Sequence, residues 1–145
     1  MVDYRYTRCP RSNLTFCNQF VQDVTAAWGI VPLRYGAGFM RRELESGHYN
    51  PLSGWHRLYF GTRLIDAQRY ADNGYLVIAS LYNPPSVTGH VAVVRPLPER
   101  YEYRRNDAPI HATAGTFNES YIFFNWLINR YERRYVNFYV YKGAN

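Results

Sequence analysis

The sequence predicts an α+β domain in which N-terminal helices pack on one face of an antiparallel β-sheet. Helical patterns occupy the first half of the chain, and strand patterns follow from residue 75 onward. Helices and strands that occur in separate runs are typical of this class. The chain has 145 residues, with no internal repeat and no linker-like tract, so residues 1–145 are expected to form a single domain.

The first helix is expected from about Thr15 to Trp28, with Thr15 as its N-cap and Gly29 closing it. Its apolar stripe begins at Cys17 and continues three, four and seven positions later, at Phe20, Val21 and Val24. Cys17 therefore lies in the first helical turn, where unpaired backbone amides and the helix dipole favour a thiolate.

Two further helices are expected before the sheet. A short one should span Ala37 to Glu45 and stop at Gly47, and another should span about Leu64 to Asn73 and close at Gly74. The turn-rich stretch from Tyr49 to Trp55 lies between them and is expected at the surface.

The remaining elements are mostly strands. Strands are expected at Tyr75–Leu81, Gly89–Arg95 and Pro109–Ala114, and a short helix at Asn118–Asn129. The last strand, Arg134–Lys142, alternates apolar and tyrosine-rich positions.

Composition and charge narrow the function only slightly. A chain that is 47% hydrophobic and 19% charged is an ordinary globular protein, and no apolar run approaches the roughly 20 residues of a membrane span. The net charge of +6 suits an anionic partner such as nucleic acid, a membrane surface or a cell-wall polymer. Tyrosines at alternate strand positions usually only cover a sheet, which disfavours nucleic acid.

Cys17 and His90 are the strongest candidates for chemistry. Cys17 opens a predicted helix and His90 opens a predicted strand, 73 residues later. A nucleophilic cysteine needs a base that the fold, and not the sequence, brings beside it. Only eight positions separate Cys9 from Cys17, and Cys17 lies in a predicted helix, so a disulfide would require the segment between them to bend back.

These segments resemble the NlpC-type and CHAP-type branch of the papain-like cysteine peptidases. The similarity covers most of residues 12–115 and rests on four segments, of which the Gly-His-Val strand is the most specific: 17–21, 67–74, 76–79 and 89–94. The resemblance implies a papain-like domain that hydrolyses amide bonds, usually in peptidoglycan, as a cell-wall amidase or endopeptidase. Such enzymes serve as phage lysins, antibacterial toxins or housekeeping hydrolases.

The resemblance also assigns roles to residues. It implies that Cys17 is the nucleophile and His90 the general base. The third, orienting residue is His111 or, alternatively, Asn118, although the 21 residues from His90 to His111 exceed the usual family hairpin. The Cys17 backbone amide would meet the oxyanion, with Asn13 as a candidate second donor.

Each assignment has a simpler structural alternative. Cys17 could be a small core residue, His90 an edge-strand histidine, and Asn118 a helix cap. His48 and His56 are expected in loops and show no metal-ligand spacing, so no metal is assigned. No glycine pattern for a nucleotide cofactor occurs, so no cofactor is expected.

Two other functions stay open. The fold could serve an effector or toxin that acts on protein substrates as a protease or deamidase, or a basic binding module without catalysis. The expected partner is an anionic cell-wall polymer or a peptide, with an immunity or inhibitor protein as an additional partner if the chain is a toxin. The first residues lack the apolar stretch of a signal peptide, so the protein is expected to reach the cell wall by a route not visible in the sequence.

Overall fold

The computed structural model describes residues 17–30, 33, 37–59, 61–81, 89–97, 110–113, 119–123 and 132–143. These residues form an α+β domain with three α-helices and a six-stranded antiparallel sheet of order β1-β6-β2-β3-β4-β5. The helices are α1 (Cys17–Ala27), α2 (Ala37–Tyr49) and α3 (Arg63–Asp72). The strands are β1 (Trp55–Arg57), β2 (Leu76–Leu81), β3 (His90–Val94), β4 (Ile110–Thr113), β5 (Glu119–Phe123) and β6 (Val136–Tyr141). The α+β class predicted from the sequence is thereby confirmed.

Helices cover both faces of the sheet, so the expectation that they share one face is wrong. Helices α1 and α2 contribute Cys17, Val21, Met40 and Leu44 to one core, which we call the α1/α2 face. Helix α3 contributes Ala67 and Ala71 to a second core, the α3 face. The central strands β2 and β3 are apolar and buried at consecutive positions, and a strand of that kind must be covered on both sides.

Glycines end α1 and α3 as predicted. Gly29 and Gly74 have positive φ values of 71° and 82°, which glycine adopts at no steric cost. In α1 the Gly29 and Ile30 amides donate to the carbonyls of Ala26 and Thr25. The equivalent pair of bonds ends α3, so both helices close in a Schellman motif.

Helix α2 is longer than the sequence predicted. It runs through Gly47 to Tyr49, so Gly47 does not stop it. Gly47 is buried, and a Cβ placed there would lie 3.1 Å from the Ser53 hydroxyl and 3.2 Å from the Trp55 Cβ. The glycine thus allows α2 to approach β1. Trp55 is only 5% exposed, so the expectation of a surface stretch is wrong for this residue.

The segment after β4 is a strand where a helix was expected. β5 pairs antiparallel with β4, with Ile110 opposite Phe123. The predicted helix Asn118–Asn129 is therefore wrong over Glu119–Phe123, while its other residues lie outside the described part of the chain. Residues 119–123 include a β-branched side chain and two aromatic ones, which suit a strand once a partner strand is available.

β6 lies between β1 and β2 and positions residues on both faces of the sheet. The predicted alternation is confirmed, because Val136, Phe138 and Val140 belong to the α3 face. Tyr139 belongs to the α1/α2 face and is fully buried. Across the described ranges, no helix has the length and apolar character that crossing a bilayer requires.

Candidate active site

Cys17 lies at the N-terminus of α1, where the sequence placed it. It is the first residue of the helix, carries a thiol, and is 2% exposed. The thiol packs in the α1/α2 core that contains Val91 and Val93 of β3. The predicted N-cap of this helix, Thr15, lies outside the described residues.

Asn18, the next residue, supplies an unsatisfied donor. Asn18 is 6% exposed, and its Nδ2 atom has no hydrogen-bond partner among the described residues. A buried polar atom without a partner costs about 1–3 kcal/mol and is rare in folded proteins. No sequence motif pointed to Asn18. The available signal was its position directly after Cys17.

Ser80 places a second unsatisfied polar atom on the same face. β2 alternates so that Leu76 and Ile78 belong to the α1/α2 core, and Ser80 continues that series. Within the part of the chain that the structure describes, the buried Ser80 hydroxyl has no hydrogen-bond partner, and Ser80 pairs with Val91 across the sheet. The α1/α2 face therefore holds a thiol, an amide and a hydroxyl among mostly apolar side chains.

His90 opens β3 as predicted, and α1 packs against this strand. Burial lowers the pKa of the His90 imidazole from its usual 6.5 to about 4. The ring is therefore neutral at pH 7, which is the form that accepts a proton.

Strand alternation separates His90 from Cys17. His90 pairs with Leu81, which packs on the α3 face. His90 shares that face with Ala92 and Val94, whereas Cys17 packs with the intervening valines on the α1/α2 face. The structure brings α1 and β3 together, but the register directs the two side chains to opposite faces.

His111 is not brought to His90. β4 pairs with β3 so that His111 lies opposite Val94, four positions along the strand from His90. At about 3.3 Å per residue, four positions correspond to roughly 13 Å. An orienting residue must hydrogen-bond to the base, so this backbone spacing does not favour His111, whose role as the orienting residue stays a prediction.

The other sequence candidates fall outside the described residues. These are Asn13, the candidate oxyanion donor, Asn118, the alternative third residue, and Cys9. The expected contribution of the Cys17 backbone amide to an oxyanion site stays a prediction.

His48 and His56 lie in regular elements, so their placement in loops is wrong. His48 is in the last turn of α2 and His56 is in β1, opposite Val140. The His48 Nδ1 atom accepts a hydrogen bond of 3.1 Å from the Arg57 backbone amide. Within the described ranges, no group of three or more metal-binding side chains occurs.

A partly buried network of ionic and hydrogen-bonding side chains lies beside β1, and no sequence motif pointed to it. The Tyr139 hydroxyl donates to one oxygen of Glu45, and Arg57 pairs with the other at 2.6 Å. Burial, followed by the bond to Glu45, raises the pKa of Tyr139 above its ordinary range. Because 94 residues separate Tyr139 from Glu45, no local sequence pattern could have indicated this contact.

No protein-family model matches this sequence, and no curated protein matches it significantly.

Proposed function

We propose that this protein is a cysteine hydrolase of amide bonds, with Cys17 as nucleophile and His90 as general base. The observation that supports this best is the pair formed by a thiol at a helix N-terminus and an unsatisfied, buried amide donor on the next residue, Asn18. Peptidoglycan peptides are the proposed substrate class, on the strength of the resemblance in the sequence.

In the proposed reaction, the Cys17 sulfur attacks the carbonyl carbon of the amide while its proton passes to the neutral His90 imidazole. The carbonyl oxygen gains negative charge, and the Asn18 Nδ2–H together with the α1 backbone amides donates hydrogen bonds to it. His90 then gives its proton to the leaving amine, and water hydrolyses the thioester. An unsatisfied donor is suited to this role because its bond forms only when charge develops.

The reaction requires the His90 ring to reach the α1/α2 face. His90 is the first residue of β3, and Gly89 precedes it without a side chain. At the end of a strand, a change in the backbone of one residue redirects the side chain without disturbing the ladder beyond it. We therefore place the catalytic contact at this end of β3.

A non-catalytic binding module is the second candidate, and one observation favours it. Cys17 is buried among apolar side chains while His90 lies on the other face, which is what a core cysteine and a structural histidine would show. In that case the basic surface of the protein would provide its function.

Thiol labelling separates the two candidates. In a Cys9→Ser background, iodoacetamide reports only on Cys17. A catalytic thiol reacts within minutes at pH 7 without denaturant, whereas a core thiol reacts only as fast as the protein unfolds. Labelling that appears only with urea would remove Cys17 as nucleophile.

Turnover tests the roles directly. With purified muropeptides as substrate and mass spectrometry of the products, Cys17→Ala and His90→Ala are expected to abolish cleavage. Asn18→Ala should lower kcat by about 10²–10³ while leaving Cys17 labelling intact, because an oxyanion donor acts only in the transition state. Gln19→Ala is the matched control, since the Gln19 amide bonds to Asp23 within the helix. Equal losses in both variants would remove Asn18 from the reaction.

A further inference from the structure

An open cleft of about 770 Å³ lies between the end of α2, β1 and α3. It is lined by His48, Arg57, Tyr59, Asp66, Arg69 and Lys142, among others. β6 and β2 separate β1 from β3, so the cleft is three strand spacings, or about 14 Å, from the strand that α1 packs against. The cleft is therefore a site separate from Cys17.

The cleft is rich in positive charge. Arg57, Arg69 and Lys142 line it, against one acidic side chain among its described residues, Asp66. Arg57 is already balanced by Glu45 at 2.6 Å. Arg69 and Lys142 form no ion pair with any described residue, so their charges can serve an anionic ligand.

Hydrogen bonding fixes His48 as an additional donor. Its Nδ1 atom accepts the Arg57 backbone amide, so the proton of the neutral ring is on Nε2. A neutral histidine held in this tautomer presents an N–H to a ligand. The cleft thus combines cationic donors with a neutral one.

Aromatic rings supply flat contact surfaces. Tyr59 is 89% exposed and Tyr75 is 42% exposed, and both line the cleft. Tyr75 meets the edge of Tyr70 at 5.3 Å, and the Lys142 ammonium lies 4.8 Å from the Tyr70 ring centroid. Exposed tyrosines beside cations are typical of a binding surface, because the ring gives apolar area and the hydroxyl gives a hydrogen bond.

Acceptors in the same cleft indicate the class of ligand. Asp66 accepts a hydrogen bond from the Thr62 hydroxyl at 2.5 Å and keeps further acceptor sites, and Asn73 offers both a donor and an acceptor. A ligand with hydroxyl groups uses donors and acceptors together. The backbone of DNA has no hydroxyl groups along its length to donate to Asp66, which favours an oligosaccharide over DNA.

We propose that this cleft binds an acidic oligosaccharide. The apolar faces of the sugar rings pack on Tyr59 and Tyr75, a carboxylate is bound by Arg69 and Lys142, and hydroxyls bond to Asp66. The proposal goes beyond amide hydrolysis and rests on the cleft alone. If the protein also cleaves the cell wall, the cleft would hold a carboxylated glycan strand while the peptide reaches Cys17.

The test is calorimetric titration with three named probes: tetragalacturonate, the neutral N-acetylglucosamine tetramer and a dT8 oligonucleotide. Tetragalacturonate should bind with a Kd at least about tenfold lower than either other probe, and added salt should weaken it because charges are screened. If the neutral tetramer binds equally well, the role of Arg69 and Lys142 is refuted. If dT8 binds more tightly than tetragalacturonate, the ligand of the cleft is nucleic acid and the proposal is wrong. If tetragalacturonate does not bind at millimolar concentration, the proposal is also overturned.

Matched variants locate the site. Arg69→Gln and Tyr59→Ala should each raise the Kd for tetragalacturonate at least about tenfold, since each removes a direct contact. Arg42→Gln and Trp28→Ala change an exposed arginine and an exposed aromatic residue outside the cleft and should leave the Kd within about twofold. Equal weakening by controls and cleft variants would refute the cleft as the site.

One variant keeps this test separate from that of the proposed hydrolase. Cys17→Ala should abolish cleavage of muropeptides but bind tetragalacturonate as the wild type does. If the wild type fails to cleave any substrate, the titration still shows whether the cleft binds an acidic oligosaccharide. If Cys17→Ala loses affinity for tetragalacturonate, the cleft is not a separate site and the inference fails.

Discussion

The low pKa of His90 predicts how stability depends on pH. An imidazole that stays neutral in the folded protein, with a pKa of about 4, gains its proton near the usual 6.5 once the chain unfolds. Between these values the unfolded state binds more protons, so lowering the pH favours unfolding. The contribution of His90 is fully present above pH 6.5 and is lost as the pH falls towards 4.

The size of the effect follows from the two pKa values. A proton that binds at 6.5 in the unfolded chain and at about 4 in the folded one changes the free energy of unfolding by about 2 kcal/mol between pH 7 and pH 5. The full difference, reached below pH 4, is about 3 kcal/mol. Such a loss is a large fraction of the stability of a domain of this size.

Urea denaturation at pH 7, 6 and 5 measures this quantity. Carboxylates also titrate towards the acid end of the range, so the wild type is compared with His90→Gln, which cannot take up the proton. The stability of His90→Gln should fall by about 2 kcal/mol less between pH 7 and pH 5. His56→Gln serves as the control, because it removes a histidine from a different strand, β1, and leaves His90 in place.

If the free energy of unfolding falls equally with pH in the wild type and in His90→Gln, the reasoning is refuted. A steeper fall in His90→Gln would mean that the folded state favours the charged ring. NMR titration of the His90 ring gives an independent value, and a midpoint near 6.5 would show that burial does not act as argued.

Further expectations concern stability and the candidate site. Gly54→Ala should lower the free energy of unfolding by more than about 3 kcal/mol, because the φ of Gly54 is 78° and a Cβ there would lie 2.7 Å from the Gly143 backbone. Gly74→Ala should lower it by only about 1–2 kcal/mol in urea denaturation, because Gly74 has a similar φ of 82° but no atom within 4 Å of the added Cβ. Equal losses of stability in the two variants would show that a Cβ at Gly54 meets no clash. Tyr139→Phe should cost about 1.5–3 kcal/mol by removing a bond to the Glu45 carboxylate, and an unchanged midpoint would contradict that bond. His111→Ala should keep cleavage within about tenfold of wild type, since losing a true orienting residue costs about 10⁴.

The elements that the sequence predicted well are those with local causes. Gly29 and Gly74 end their helices because only glycine adopts the required φ cheaply. β2 and β3 were recognisable from apolar runs between turn residues. The same apolar runs also indicated that both faces of the sheet are covered, since Leu76–Leu81 and Val91–Val94 do not alternate with polar residues. The order of helices before strands in the sequence nevertheless led to the prediction that all helices pack on one face.

The elements that the sequence missed depend on distant partners. β1 has only three residues, and it exists because β6 pairs with it from the other end of the chain. Gly47 is a common helix stop by local rules, yet here the close packing of Trp55 keeps it inside α2. β5 was also missed because it depends on another segment: its hydrogen bonds are made with β4, and a local sequence pattern does not reveal that pairing.

The candidate site shows the same division. A helix start at Cys17 and a strand start at His90 follow from local patterns, and both are confirmed as positions. The face on which His90 lies depends on the register of β3 with β2, which no single segment encodes. Shifting a strand by one residue moves every side chain to the other face.

The pKa of His90 therefore reports which of the two arrangements is present. On the α3 face, burial holds the ring neutral with a pKa of about 4. Beside a Cys17 thiolate, the opposite charge would stabilise the imidazolium and raise that pKa well above this value. A substrate analogue that turns His90 towards Cys17 should then raise the NMR midpoint of the ring in the wild type but not in Cys17→Ala. The catalytic contact requires this difference, because on the α3 face the sheet separates the His90 ring from Cys17.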